Sequence, residues 1–143
     1  MEIGVVMNVD ILVSEKLDSE KLKKLCCGLI GDNKVNVEIV GDESELVDNA
    51  INLVLKEVKG EYQVYISLYD CLGILSDISE IMLAKKICSL FKVRCLVSDD
   101  SNNPFTMWLV DENSDLFIAF LDEDKLEYDE YFVKMQSQIK KTL

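Results

Sequence analysis

The alternation of apolar and polar residues along the chain predicts strands and helices in turn. Residues 3–13 are rich in β-branched side chains and predict a strand. Apolar residues then recur at helical spacing over residues 22–29. Asp18 or Ser19 is suited to cap this helix, and Gly31 is placed to end it.

The middle of the chain repeats this alternation of strand and helix. Residues 35–39 alternate between apolar and polar and predict a half-buried strand. Asp42 and Glu45 resemble a capping box, and the apolar stripe over residues 47–58 then predicts the second helix. Residues 62–69 alternate again and predict a central strand.

The last third of the chain predicts a helix, an inner strand and a hairpin. The helix begins at Ser76 or Ser79, and its apolar residues cover more than one face, so we expect it to be largely buried. The strand covers residues 93–97, and the hairpin consists of Thr106–Val110 and Leu116–Leu121.

Taken together, these elements predict one α+β domain over residues 1–143. The predicted order is β-α-β-α-β-α-β-β-β, with an acidic loop or helix start over residues 122–129 and weaker helical spacing over residues 131–143. Three strand–helix alternations followed by a hairpin favour a mixed, mainly antiparallel sheet packed with helices. A chain of 143 residues is long enough to build a hydrophobic core.

Several classes of chemistry have no support in the composition. The chain contains no histidine and no Cys-x-x-Cys pair, which removes histidine-activated nucleophiles and most zinc sites. It also lacks a phosphate-binding glycine loop, so we expect no enzyme activity, cofactor or metal. The N-terminus does not resemble a signal peptide and no apolar run reaches membrane length, so we expect a cytosolic protein.

Five cysteines fit a reducing compartment, because they are odd in number and have no disulfide spacing. Cys26 and Cys27 are adjacent on the first predicted helix. Cys26 falls on the apolar stripe and Cys27 is predicted to be more exposed. The sequence leaves the role of this pair open.

The charge of the chain is concentrated in one segment. Residues 99–130 hold 11 of the 27 acidic residues and a single basic residue, Lys125, which gives 1 − 11 = −10 of the net −12. Such a segment repels itself and attracts a cationic surface. The same charge opposes binding to nucleic-acid phosphates and to anionic lipid.

The predicted partner-binding residues lie in or between the acidic turns of this segment. They are Asp99, Asp100, Trp108, Asp111, Glu112, Asp115, Asp122, Glu123 and Asp124. Solubility is the alternative explanation for the carboxylates, and core packing is the alternative for Trp108. A calcium loop fits poorly, because residue 116 is leucine where an EF-hand needs glycine.

Residues 95–105 contain a short strand, a Ser-Asp-Asp turn and an Asn-Pro step, and Trp108 and Asp111 follow. This arrangement resembles immunity proteins of bacterial polymorphic toxin systems, including those of contact-dependent growth inhibition, over about residues 81–132. The resemblance implies a small, non-catalytic protein that binds and neutralises a cognate, basic, nuclease-like toxin domain. An acidic chaperone of the type III secretion class is the alternative, although such chaperones usually open with a helix.

Overall fold

The computed structural model describes residues 4–5, 7–30, 36–75 and 78–139. Its strands are β1 (Met7–Val13), β2 (Val37–Val40), β3 (Ile51–Glu57), β4 (Lys59–Gly60), β5 (Val64–Asp70), β6 (Cys95–Ser98), β7 (Thr106–Val110), β8 (Leu116–Leu121), β9 (Glu130–Tyr131) and β10 (Val133–Gln138). Its helices are α1 (Ser19–Ile30), α2 (Glu80–Phe91) and α3 (Glu123–Leu126), with a 3-10 turn at Glu43–Glu45.

Within the described residues, eight strands form one sheet in the order β10-β8-β7-β6-β1-β5-β3-β2. Every neighbouring pair is antiparallel except β2 and β3, which are parallel. The predicted α+β class with a mainly antiparallel sheet is therefore confirmed. A separate two-stranded sheet joins β4 to β9 in parallel.

The two faces of the large sheet are covered differently. On one face, α1 and α2 enclose the larger core, where Leu22 and Cys26 of α1 meet Ile11 and Val13 of β1. We call this the helix face. On the opposite face, a smaller core centred on Leu96 and further strand residues is covered by the segments around β4, α3 and β9. We call this the open face, because its part over β1, β5 and β3 carries a groove.

Two of the helix caps predicted from the sequence, at Asp18 and Ser79, are present in the structure. The Asp18 carboxylate accepts hydrogen bonds from the backbone N–H groups of Glu20 (3.0 Å) and Lys21 (3.2 Å) at the start of α1. Ser79 caps α2 by accepting from the Met82 N–H at 3.1 Å. The alternative start at Ser76 and the predicted stop at Gly31 lie outside the described residues.

The prediction of a second helix over residues 47–58 is wrong, because Ile51–Glu57 forms strand β3. The capping pair exists, since Asp42 accepts from the Ser44 N–H and Glu45 from the Gly41 N–H, but it supports a single 3-10 turn. Asn49 then has a φ of 54°, in the left-handed region, so the right-handed helix cannot continue through it. Residues 51–54 are buried on both faces of the sheet, and the apolar residues Ile51, Val54 and Leu55 also fit the spacing of a helix.

Two further expectations about helices are corrected. The C-terminal segment forms β9 and β10 instead of a helix, and β10 is the edge strand that pairs with β8. Residues 140–143 lie outside the described part. Helix α2 buries one face, with Leu83 and Ile87 in the core, while Met82 and Leu90 remain 46% and 57% exposed.

Candidate functional site

The acidic segment does not form one surface, because its turns lie at opposite ends of the β7–β8 hairpin. Val110 pairs with Leu116 beside the tight turn, and Thr106 pairs with Phe120 at the other end. Five residues of strand separate the two ends by roughly 15 Å. Of the eleven acidic residues over 99–130, three lie at the tight turn (Asp111, Glu112 and Asp115), and five lie in the loops at the other end (Asp99, Asp100, Asp122, Glu123 and Asp124).

We define the acidic end as Asp99, Asp100, Asp122, Glu123 and Asp124. The loop after β6 brings the first two to this end, and the loop after β8 brings the other three. The two loops are joined by a hydrogen bond of 2.7 Å from the Leu121 N–H to the Phe105 carbonyl. The structure thus brings together five of the nine residues that the sequence proposes for partner binding.

The acidic end is held in shape by its own backbone. Asp122 caps α3 by accepting from the Lys125 N–H at 3.1 Å, and the Asp122 N–H donates to the Phe132 carbonyl at 2.9 Å, which closes the loop. Burial acts to raise the pKa of Asp99, but hydrogen bonds from Thr106 and Ser101 outweigh it and lower that pKa. This carboxylate therefore stays ionised at neutral pH.

Most carboxylates at the acidic end are exposed to solvent. The side chains of Asp100, Glu123 and Asp124 are exposed. The nearest basic residue in sequence, Lys125, holds its ammonium 5.8 Å from the ring centroid of Phe132. In the described part of the chain, the ion pairs are Lys16–Glu57 and Arg94–Glu112, and neither involves the acidic end.

At the tight turn of the hairpin, the carboxylates of Asp111 and Glu112 interact with other groups of the protein. Asp111 accepts from the backbone N–H groups of Asn113 and Asp115, both at 2.9 Å. The Arg94 guanidinium lies 2.7 Å from the Glu112 carboxylate and lowers its pKa. The hairpin turn therefore accounts for the same residues that resemble part of a calcium loop.

Trp108 lies near neither set of acidic residues. It sits in the middle of β7, between Val97 of β6 and Ile118 of β8, and is half-buried against the core of the helix face. Its placement matches the core-packing alternative that the sequence left open.

The open face carries a groove of about 640 Å³ that was not among the sites predicted from the sequence. Its floor consists of alternate residues of β1 and β5, and its far wall comes from the segments around β4 and β9. The lining residues that carry its chemistry are four tyrosines, four carboxylates and two lysines: Tyr65, Tyr69, Tyr128, Tyr131, Asp10, Glu43, Glu57, Asp129, Lys56 and Lys59.

Hydrogen bonds connect the polar side chains on the groove floor. The Ser67 hydroxyl donates to the Asp10 carboxylate at 2.8 Å, and the Tyr69 hydroxyl donates to Glu43 at 2.6 Å. Burial, together with Asp10 beside Tyr65 and Glu43 beside Tyr69, raises the pKa of both tyrosines to about 12. These phenols are therefore neutral hydrogen-bonding groups and aromatic surfaces at physiological pH.

Next to this groove, β1 and β6 diverge. They pair only at Leu12 with Leu96 and at Val13 with Cys95. Beyond that point a smaller cavity of about 150 Å³ opens, and Glu80 from the first turn of α2 lines it together with Asp10. Burial raises the pKa of Glu80, and the nearby charges of Asp100 and Asp10 raise it further.

Asp10 connects the two cavities, because it lines both the groove and the fork between β1 and β6. Glu80 in turn lies close enough to Asp100 for their charges to interact. A series of carboxylates thus runs from the groove floor, through the fork, to the acidic end.

Sequence reasoning missed the groove, although a signal was present. Tyr65, Ser67 and Tyr69 alternate with apolar residues in a strand that was correctly predicted to be central. Polar residues at every second position of a central strand indicate a sheet face that is not fully covered. Asp10 gave the same signal in β1.

Three of the five cysteines, Cys26, Cys88 and Cys95, are buried, which is typical of structural thiols. Cys26 is buried and Cys27 is half-buried, as predicted from their positions on α1. Burial, and to a smaller extent Cys27, raises the pKa of Cys26 to about 12. The Cys88 side chain, together with burial, raises the pKa of Cys95 far above its usual range.

The residues that the structure describes contain no group of three or more acidic or cysteine side chains arranged to hold a metal ion. In the same residues, no helix has the length and apolar character that crossing a membrane requires. No protein-family model, curated protein or solved structure matches this chain.

Proposed function

We propose that this chain is a non-catalytic, cytosolic binding protein that neutralises a cationic toxin domain by docking its acidic end onto it. The observation that carries the proposal is the convergence of two loops, separated by a whole hairpin in sequence, that place five carboxylates at one end of the sheet. A fold gains nothing from gathering like charges in this way. A complementary cationic partner supplies the missing stabilisation.

The fold supports this role by fixing the charges before binding. The loop of Asp122 is closed by backbone hydrogen bonds, and Asp99 is bonded within its own turn. Little conformational entropy is then lost on docking, which favours affinity. A basic, nuclease-like toxin is the partner class that matches, because a surface built for phosphates also accepts carboxylates.

Asp111, Glu112 and Asp115 are not included in the proposed surface, and neither is Trp108. The first three lie at the opposite end of the hairpin, where Glu112 pairs with Arg94 and Asp111 accepts backbone hydrogen bonds within the turn. Trp108 packs on the helix face. The proposed contact residues are therefore the five of the acidic end.

The test is binding to the basic domain of a secreted toxin encoded beside this chain. The informative variant is Asp100→Asn/Glu123→Gln/Asp124→Asn, because these exposed carboxylates cap no backbone group in the described structure, and asparagine tolerates the positive φ of 58° at Asp100. The matched control, Glu15→Gln/Glu20→Gln/Glu38→Gln, removes the same charge from the other half of the chain.

Association rates are measured by surface plasmon resonance between 50 and 500 mM salt, and protection is measured by growth during toxin expression. We expect the variant to lower the association rate about tenfold and to flatten its salt dependence, with the control close to wild type. Equal effects of the two variants, or binding that salt does not change, would refute the acidic end as the docking surface. A stable dimer that binds unfolded secreted proteins instead would favour the chaperone alternative.

A further inference from the structure

The groove on the open face has a chemistry distinct from that of an ordinary solvated sheet face. Ser67 and Tyr69 each keep only 8% of their surface exposed, although both line it. Its four carboxylates outnumber its two lysines, and the pairing of Glu57 with Lys16 leaves a net charge of 3 − 4 = −1. An anionic ligand is therefore disfavoured, and a cationic group is favoured.

The Asp10 carboxylate is the centre of this site. It lies at the junction of the groove and the fork, and one of its oxygens accepts from Ser67. A carboxylate accepts about four hydrogen bonds, so Asp10 retains capacity for a planar donor that enters the groove. Glu80 offers a second carboxylate across the fork.

The aromatic residues distinguish between kinds of cation. Tyr65 on the floor and Tyr131 on the wall lie close enough for their electrostatic interaction to affect Tyr65, and Tyr128 lines the rim with 75% of its surface exposed. A guanidinium stacks on aromatic rings and binds carboxylates with a planar fork of donors. A lysine ammonium offers only a compact, strongly hydrated charge.

We propose that this groove binds an arginine-bearing, extended segment of the same cationic partner, with a guanidinium seated between Asp10, Glu80 and the tyrosines. This inference rests on the proposed function and adds a second contact to it. The two sites are connected, because Asp129 of the closed loop lines the groove and Asp100 of the acidic end lies near Glu80. A partner docked on the acidic end can therefore extend a segment along the open face.

The test uses the full chain and a tetra-arginine amide as the probe, with tetra-lysine amide for comparison. Tyrosine ring signals are followed by carbon-13 NMR during titration at low salt. The groove variant is Asp10→Asn/Glu80→Gln, and the matched control is Glu123→Gln/Asp124→Asn, which removes the same charge from the acidic end. Because Asp10 contacts Ser67, the single variant Glu80→Gln is also measured, in case the double variant is not folded.

We expect tetra-arginine to shift the signals of Tyr65, Tyr69 and Tyr131 saturably and more tightly than tetra-lysine does. The groove variant should weaken binding about tenfold and the control less than twofold. Equal weakening by both variants, equal affinity for the two peptides, or unchanged signals of Tyr65, Tyr69 and Tyr131 would overturn the inference. None of these outcomes decides the proposed function, which depends on the toxin partner binding through the acidic end.

Discussion

Gly60 and Gly28 provide a pair of identical substitutions for which the structure predicts opposite effects. Gly60 in β4 has a φ of 109°, which side-chain-bearing residues rarely adopt. A Cβ there would lie 2.7 Å from both the backbone N and the backbone O of Tyr131 in β9. At Gly28 in α1, a Cβ would meet no atom within 4 Å apart from those of its chain neighbours and of the helix backbone.

The expected magnitudes follow from these surroundings. At Gly60, alanine adds roughly 1–2 kcal/mol of backbone strain. It also forces β4 and β9 apart, which threatens the 2.9 Å hydrogen bond from the Glu61 N–H to the Tyr131 carbonyl and adds about 1 kcal/mol. We expect Gly60→Ala to lower the free energy of unfolding by about 2–3 kcal/mol. Gly28→Ala should raise it by about 0.5–1 kcal/mol, because alanine has the higher helix propensity.

Urea denaturation followed by circular dichroism and by the fluorescence of the single tryptophan measures both free energies. Because β9 forms one wall of the groove, Gly60→Ala should also weaken tetra-arginine binding, whereas Gly28→Ala should not. If Gly60→Ala changes the free energy of unfolding by less than 0.5 kcal/mol, the close contact between β4 and β9 is wrong. If Gly28→Ala destabilises the protein, the open surroundings of Gly28 in α1 are wrong.

Two further predictions concern buried polar groups. The Asp70 carboxylate is fully buried and accepts hydrogen bonds from three backbone N–H groups at 2.9 Å, including that of Leu75. Because Asp70→Asn replaces one acceptor oxygen with a donor, it should lower the free energy of unfolding, measured by urea denaturation, by about 2–4 kcal/mol. An unchanged midpoint would contradict this role. The pKa values of Tyr65 and Tyr69 are raised to about 12 in the folded state, whereas unfolded tyrosines ionise near pH 10. The contribution of these two phenols to the free energy of unfolding should therefore be fully present below about pH 10 and be lost between about pH 10 and 12. Absorbance at 295 nm should then show two or more phenols titrating above the rest, and a single transition near pH 10 would contradict the buried environment.

The proposed partner-binding surface was predictable in composition but not in shape. The concentration of acidic residues is a property of the sequence, and it indicates a cationic partner without any structure. Whether a hairpin brings those residues together depends on strand register, which places Thr106 opposite Phe120 and Val110 opposite Leu116. Asp100 and Asp111 follow each other among the acidic residues of the segment, yet they lie at opposite ends of the β7–β8 hairpin.

The polar residues of β1 and β5 indicate an uncovered sheet face, but the shape of the groove and of the fork beside it depends on distant segments. Asp10, Ser67 and Glu80 are brought together by the β1–β5 pairing and by the divergence of β1 from β6. Nothing in the local sequence indicates that two strands separate after two paired residues. Contacts of this kind are set by the packing of the whole sheet.

The sequence alone determined the helix starts and the hairpin, because contacts between residues close in the chain control them. Asp18 and Ser79 start α1 and α2 because their side chains reach backbone N–H groups within the same turn. The β7–β8 hairpin follows from apolar strands on either side of a polar turn.

Tertiary structure decided the segments whose pattern fits both a helix and a strand. The apolar residues of β3 match a helical stripe, yet they form a strand because β2 and β5 form hydrogen bonds with its two edges. Asn52 also ties β3 to the preceding turn through hydrogen bonds with Val47. The polar residues of β10 become a strand only through pairing with β8. In both segments, hydrogen bonds and burial supplied by distant residues outweigh the weak local preference.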